Sequence, residues 1–94
     1  MAYCSVSQWT TTDWTDDMEA LAREKFVPMI MAVGASRVRM VRTGDHSFCV
    51  VTEYPDAATA QAAQARIAEI RAEATDEMPM TMAGVEAGEV FAMN

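Results

Sequence analysis

Alternating apolar and polar residues predict a β-strand over residues 2–11. A period of two sorts the side chains onto two faces of an extended segment. One face carries Ala2, Cys4 and Val6, and the other carries Tyr3, Ser5, Ser7 and Trp9. A strand with two such unlike faces is typically half-buried.

A helix is predicted to follow, because apolar residues then recur at helical spacing. Asp16 with Glu19 three residues later resembles a capping box, with Asp16 as the N-cap. Gly34 supplies the expected stop. Pro28 lacks a backbone donor and crowds the carbonyl of Glu24, so the last turn is expected to kink or restart. The apolar stripe is Met18, Leu21, Ala22, Phe26, Met29, Ile30 and Val33.

The segment from Ser36 to Tyr54 is predicted to form a β-hairpin. Gly44 and Asp45 match a two-residue type II′ loop, which sets the register of the two strands. The predicted pairs are Thr43 with His46, Val41 with Phe48, Arg39 with Val50, and Arg37 with Thr52. The opposite face then holds Val38, Met40, Cys49 and Val51, and this apolar face is expected to lie beneath the helices.

A second helix and a final strand complete the chain. Asp56 is the expected N-cap of a helix over residues 57–74, which Met78 and Pro79 end. Its buried stripe is predicted to be Ala60, Ala63, Ile67, Ile70 and Ala74. The tail from Met80 to Met93 predicts one long strand or two short ones.

The resulting β-α-β-β-α-β order predicts an α+β fold with strand order 4-1-3-2, as one domain over residues 1–94. Two helices cover only one face of such a sheet. The uncovered face, roughly 350 Å² from ordinary strand dimensions, approaches the largest apolar patch that monomers tolerate. Packing against a second copy would cover it, so a homodimer is expected. Its predicted members are Tyr3, Trp9, Val41, Phe48, Val50 and Tyr54.

Charge and composition limit the classes of molecule that the protein is expected to bind. Fourteen acidic and seven basic residues give a net charge of −7. This balance argues against nucleic acid and anionic membranes as partners. The chain has no apolar run of about 20 residues and no signal peptide pattern at its start, so a cytoplasmic protein is expected.

Few residues suit metal or nucleophilic chemistry. Cys4 and Cys49 lack the spacing of a zinc site, and we expect two unbridged thiols that face the helices. His46 is either a general base or, as favoured here, an exposed turn residue. Ser5 and Ser7 lack an evident base. We therefore expect no metal and no cofactor.

The element order, the chain length and the segment FVPMIMAVGASRVRMVRTGDHSFCVVTEYPDAATAQAA resemble the dimeric α/β-barrel superfamily, in particular its small antibiotic-biosynthesis-monooxygenase type. The resemblance rests on Pro28 and Gly34 at the end of the first helix, the Gly44-Asp45 turn, and the residues 53–56 before an alanine-rich helix. It implies a ferredoxin-like homodimer whose two sheets form a barrel with the helices outside.

The same resemblance implies oxidation of aromatic phenols or quinols by dioxygen without metal or flavin. A haem-degrading branch of the superfamily relies on an Asn, a Trp and a His. That triad does not carry over, because the only asparagine is Asn94 and the only histidine is His46.

The candidate ligand-binding residues are Arg37 and Arg39 with Tyr3, Trp9 and Tyr54. Two guanidinium groups on one strand face suit a carboxylate or a developing phenolate, and the aromatic residues suit an aromatic ligand. The alternatives are ion pairs of the arginines with Glu86, Glu89 or a second subunit, and aromatic residues that form the dimer core. Three functions stay open: a monooxygenase-like enzyme, a non-catalytic small-molecule binding module, and a structural or interaction homodimer.

Overall fold

The computed structural model describes residues 1–94 and contains one four-stranded antiparallel sheet with the helices on one side. The sheet order is β2-β3-β1-β4, which confirms the predicted order 4-1-3-2 and the ferredoxin-like α+β fold. The sheet is open. Its elements are β1 (Tyr3–Thr11), α1 (Asp16–Leu21), a π-helical turn (Ala22–Phe26), α2 (Val27–Ala32), β2 (Arg37–Gly44), β3 (Ser47–Tyr54), α3 (Ala57–Glu77) and β4 (Met80–Glu89).

The hairpin register differs from the prediction by one residue. Arg39 lies opposite Val51 rather than Val50, and Arg37 lies opposite Glu53 rather than Thr52. The loop consists of Asp45 and His46, and the ladder shifts between Arg42 and Gly44, so that Thr43 is an extra residue on β2. The extra residue is a β-bulge, which a two-residue loop prediction does not include.

Gly44 has no positive φ, so it does not hold the first central position of a type II′ turn. It closes the hairpin instead, paired with Ser47. A Cβ at Gly44 would lie 2.7 Å from the hydroxyl of Ser47, so a side chain at this position would have to displace that group. The glycine is explained by this close approach and not by its backbone conformation.

The prediction of which side-chain face of β1 and β3 lies beneath the helices was also wrong. Trp9, Phe48, Val50 and Tyr54 were predicted on the uncovered face but lie buried beneath the helices, with 4–9% of their surface exposed. Ser7 and Thr52 share this helix side. The open side carries Cys4, Val6, Cys49 and Val51 from these two strands, together with Arg37, Arg39 and Val41 from β2. The two cysteines therefore point away from the helices, contrary to the prediction.

Aromatic bulk accounts for this outcome. Trp9 and Phe48 are direct neighbours across β1 and β3 and stack with their ring centroids 6.1 Å apart. A buried aromatic side chain removes far more apolar surface from water than a cysteine or valine does. The face with the large rings is therefore buried under the helices, although the other face is more uniformly apolar.

The first helical segment starts one residue earlier than predicted. Thr15 is the N-cap, because its hydroxyl accepts the backbone N–H of Met18 at 3.2 Å, and Asp16 is the first helical residue. Just before Pro28 the winding widens into the π-helical turn, where the N–H of Val27 donates to the carbonyl of Ala22. The predicted disturbance near Pro28 is confirmed in this form, and the segment stops at Gly34 as predicted, with φ +113°.

Helix α3 begins as predicted and is three residues longer. The Asp56 carboxylate accepts the backbone N–H and the hydroxyl of Thr59, both at 2.7 Å. Four of the five predicted stripe residues are buried, and Ile67 is half-buried. Lys25 in the π-helical turn pairs with Glu73 and Glu77, which joins this turn to α3. The predicted strand after Pro79 is one strand, with a register shift opposite Gln8 and Trp9.

None of the helices combines the length and the apolar character that crossing a membrane requires.

Replacing Gly34 with alanine should lower the free energy of unfolding by about 1–3 kcal/mol, because a side chain is strained at this positive φ. The new Cβ would also lie 3.0 Å from the methyl group of Thr59. Gly88→Ala is the matched control, since its Cβ would meet no atom within 4 Å, and it should change stability by no more than about 0.5 kcal/mol. Urea unfolding of both variants measures the difference, and equal effects would contradict this account of Gly34.

Acid should weaken the N-cap of α3. The two hydrogen bonds from Thr59 lower the pKa of Asp56 below the ordinary value of an aspartate. A carboxylate with a lowered folded pKa stabilises the protein above its unfolded pKa and loses this contribution as the pH falls through the folded value. The melting temperature should therefore fall more between neutral pH and pH about 3 in the parent protein than in Asp56→Asn, whose cap does not titrate. If the melting temperatures of the two proteins fall equally with pH, the Asp56 carboxylate makes no such contribution to stability.

Candidate functional site

A cavity of about 370 Å³ lies between the helix side of the sheet and the helices. Fifteen of its 21 lining residues are hydrophobic. A volume in this range with few polar groups is typical of small-molecule sites. We call it the aromatic cavity.

Three rings form one wall of the aromatic cavity. Trp9 and Phe48 are nearly parallel, with an interplanar angle of 8°. Trp14, from the loop before α1, meets Phe48 edge to face at a centroid distance of 5.8 Å. Phe26, which lies in the π-helical turn and is 2% exposed, also lines the cavity. These ring faces and edges offer the stacked and edge-to-face contacts that aromatic ligands prefer.

Charged groups cluster around Trp14. The guanidinium carbon of Arg42 lies 4.2 Å from the centroid of the Trp14 ring. Arg42 also donates to the carbonyls of Gly44 and Asp45 at 3.1 and 3.0 Å, so the hairpin turn holds its side chain in place. On the other side, the indole N–H of Trp14 donates to Glu19 at 2.7 Å. Trp14, Arg42 and Glu19 form the exposed, polar end of the aromatic cavity, called the rim below.

Two hydroxyl residues from the sheet, Ser7 and Thr52, also line the cavity and are buried. The Ser7 hydroxyl accepts the indole N–H of Trp9 at 2.8 Å. A serine hydroxyl has one proton and two lone pairs, so Ser7 keeps its proton available for an acceptor in the cavity.

Arg71 of α3 is a half-buried cation in the wall of the aromatic cavity. None of the ion pairs in the structure involves it. Burial lowers the pKa of Arg71, and the nearby Tyr54 opposes this effect. Burial likewise raises the pKa of the Tyr54 hydroxyl, against the field of Arg71. At neutral pH the pair therefore presents a charged guanidinium and a protonated phenol.

A second cavity, also of about 370 Å³, lies beside Tyr54. Four side chains with hydroxyl or amide groups line it, and it shares Ile67 and Arg71 with the aromatic cavity. We call it the polar cavity. Its polar lining residues are Tyr3, Ser5, Tyr54, Gln64, Arg71 and Glu86. Glu86 of β4 pairs with Val6, so its side chain lies on the open side of the sheet.

The five sequence-predicted site residues do not share one face. Trp9 lines the aromatic cavity, and Tyr3 and Tyr54 line the polar cavity. Arg37 and Arg39 are exposed on the open side of the sheet, so the common face assumed for all five was wrong. A role of these two arginines in ligand binding stays a prediction. His46 is exposed in the hairpin turn, as expected.

Sequence reasoning missed Arg42, Arg71 and Trp14. Two of them carried a usable signal: Arg71 follows Ile67 by four positions on the buried stripe of α3, and Arg42 follows Met40 by two on β2. The predicted stripe of α3 contains only apolar residues and therefore leaves out Arg71. Trp14 sits in a loop without periodicity, so no pattern could place it.

The chain matches no protein family model and no curated protein sequence. Solved structures do match. The fold is similar to that of SnoaB, a cofactor-independent oxygenase from Streptomyces nogalater, with a TM-score of 0.75 and 14% sequence identity over 98% of this chain and 95% of the other. A dimeric ferredoxin-like protein from an uncultured marine organism gives a TM-score of 0.70 and 16% identity over 99% of this chain and 98% of the other.

A third match is a protein of unknown function from Nitrosomonas europaea, with a TM-score of 0.65 and 20% identity over 100% of this chain and 94% of the other. At such identities the matches bear on the fold, and they agree with the resemblance stated from the sequence. This chain has the ferredoxin-like fold found in SnoaB and in the dimeric ferredoxin-like proteins.

Proposed function

We propose that this protein is a cofactor-independent, monooxygenase-like enzyme that oxidises an aromatic phenol or quinol with dioxygen. The observation that carries the proposal is the aromatic cavity, with Trp9, Phe48 and Trp14 along one wall and guanidinium groups nearby. The fold supports it, because SnoaB, which shares that fold over nearly the whole chain, is described as a cofactor-independent oxygenase.

Shape and polarity both suit an aromatic substrate. The parallel rings of Trp9 and Phe48 and the inclined ring of Trp14 allow offset-stacked and edge-to-face contacts with a planar molecule. Ser7 and Thr52 supply two hydroxyls within an otherwise apolar surface, which suits a substrate with one or two ring oxygens. A largely apolar wall also lets the nonpolar molecule dioxygen enter without a desolvation cost.

Three arginines, Arg23, Arg42 and Arg71, line the aromatic cavity and favour the reactive form of such a substrate. Phenols give electrons to dioxygen far more readily as phenolates, and an apolar cavity alone would disfavour that anion. Arg42 at the rim and Arg71 in the wall oppose this effect, since a nearby positive charge lowers the pKa of a bound phenol. In a low-dielectric cavity such fixed charges act more strongly than they do in water.

The reaction balances without an added reductant. A phenol with hydrogen on the ring carbon opposite its hydroxyl reacts with dioxygen to give a quinone and water. The phenolate supplies the electrons, one oxygen atom forms the new carbonyl group at that carbon, and the other oxygen atom leaves as water with the two displaced hydrogens. The protein's part is to bind the ring, to favour the phenolate and to exclude water from the intermediates.

The second candidate is a non-catalytic small-molecule binding module. It is favoured by one feature of the aromatic cavity: the only carboxylate among its lining residues is Glu19, which already accepts the Trp14 indole N–H. Turnover in the presence of dioxygen separates the two candidates.

We further propose that the protein is a homodimer that pairs the open sides of its two sheets. The helices leave this side uncovered, and Val6 and Val51, which face each other across the central strands, are only half-buried. Two structures with this fold are described as dimeric ferredoxin-like proteins. In such an assembly Arg37 and Arg39 lie near the seam, where carboxylates of a second copy, or a ligand held there, would balance their charge.

Filling the aromatic cavity should reduce activity. Ala74 lines it, so Ala74→Leu should weaken binding of naphthol by about tenfold or more and reduce dioxygen uptake. Ala72→Leu, on an exposed position of the same helix, is the matched control and should leave both unchanged. An oxygen electrode and quinone absorbance measure turnover, with one quinone expected per dioxygen consumed. If the parent protein binds phenols or quinols but consumes no dioxygen with any of them, the enzyme proposal is refuted and the non-catalytic binding module remains.

Charge on the open side should break the dimer. Val51→Lys places a charge at the centre of the proposed interface and should give monomers at micromolar concentration, whereas Ala65→Lys on the exposed side of α3 should not. Because each subunit carries −7, added salt should strengthen the parent dimer. Light scattering after size exclusion gives the mass. A parent protein of 10.3 kDa in low and moderate salt would refute the proposal.

A further inference from the structure

We infer that the aromatic and polar cavities are two halves of one binding site, joined at Arg71, for an aromatic molecule that carries a single carboxylate on a short arm. The inference rests on the proposed function only in placing the ring system in the aromatic cavity. It adds the anionic group and the second cavity, neither of which the oxidation itself requires.

The junction lies on one face of α3. Ile67 and Arg71 are one helical turn apart, and both line both cavities. Ala60 and Gln64 continue the same face over the polar cavity, and Ala74 continues it over the aromatic cavity. Helix α3 thus covers a continuous stretch of the sheet's helix side, with the guanidinium of Arg71 between the two halves.

The two halves differ in chemistry. The aromatic cavity has few polar lining residues, whereas the polar cavity has the two phenols Tyr3 and Tyr54, the hydroxyl of Ser5 and the amide of Gln64. All four are neutral groups able to donate a hydrogen bond, and the carboxylate of the lining residue Glu86 lies on the open side of the sheet. A ligand with an apolar ring at one end and a hydrogen-bond acceptor at the other matches both halves at once.

The charge of Arg71 favours an anion as that acceptor. Arg66, the other arginine of α3, pairs with Glu69 at 3.1 Å, and Lys25 pairs with Glu73 and Glu77. Arg71 is more buried than Arg66 and has no carboxylate partner. A guanidinium that loses hydration without a counter-ion is costly, and a bound carboxylate would compensate that cost through a bidentate contact.

The same arrangement limits the arm in the polar cavity to one negative charge. Arg71 is the only charged side chain that the two cavities share, and the chain as a whole carries −7. Arg71 is also the only cation that lines the polar cavity, so a phosphate ester or a dicarboxylate on the arm would bring a second charge there without a second cation. Tyr54 stays protonated at neutral pH because burial raises its pKa, so it donates a hydrogen bond to the same carboxylate.

Naphthylpropanoate and its neutral amide naphthylpropanamide test the inference by isothermal titration. The parent protein should bind the acid roughly ten to a hundred times more tightly than the amide, the range typical of a hydrogen-bonded charge. Arg71→Met should abolish this preference, Arg71→Lys should restore part of it, and Arg66→Met is the matched control that should keep it. Equal binding of acid and amide by the parent protein, or an unchanged preference in Arg71→Met, would overturn the inference.

A second variant tests the use of the polar cavity. Ser5→Val removes a hydroxyl that lines only that cavity, so it should weaken the acid several-fold and leave naphthol binding unchanged. If acid binding is unaffected, the arm does not enter the polar cavity and the inference fails. The two proposals can fail separately. Turnover of naphthol without a preference for the acid would support the oxygenase and refute this inference. A preference for the acid without turnover would support this inference and refute the oxygenase.

Discussion

The stacking of Trp9 on Phe48 is the contact on which the rest of the structure depends. These rings lie on the two central strands, and burying them decides which side of the sheet the helices cover. The same choice places Cys4, Val6, Cys49 and Val51 on the open side. One aromatic pair thus places both the ligand cavity and the surface available to a second copy, because a strand cannot turn one side chain over without turning all of them.

Element order and element ends were predictable because they depend on local chemistry. Asp56 caps α3 through its own carboxylate, and Gly34 ends α2 because its φ is unfavourable for other residues. The alanine stripe of α3 was also correct, since small residues at helical spacing allow close packing on a sheet. These features involve residues within a few positions of each other. At such short separations the sequence pattern directly determines which residues are in contact.

The sides of the sheet were not predictable in this way, and the site depended on them. Alternation separates two faces but does not state which one is inside, and Thr43 as a single extra residue shifts the whole hairpin register. Arg37 and Arg39 therefore lie on the opposite side of the sheet from Trp9, whereas Arg42 and Met40 line the aromatic cavity together with Trp9. Arg71 could have been found from the sequence, because it follows Ile67 at helical spacing, but the predicted stripe consisted of apolar residues alone.

The chain has only two tryptophans, Trp9 and Trp14, and both line the aromatic cavity. Trp14 contacts the guanidinium of Arg42 and the carboxylate of Glu19 at the rim. Trp9 is buried beneath the helices and donates a hydrogen bond to the buried hydroxyl of Ser7. The intrinsic fluorescence and near-ultraviolet circular dichroism of the protein therefore arise largely from this one place. A half-buried indole, Trp14, and a buried one, Trp9, therefore report separately on the entrance and the interior of the cavity.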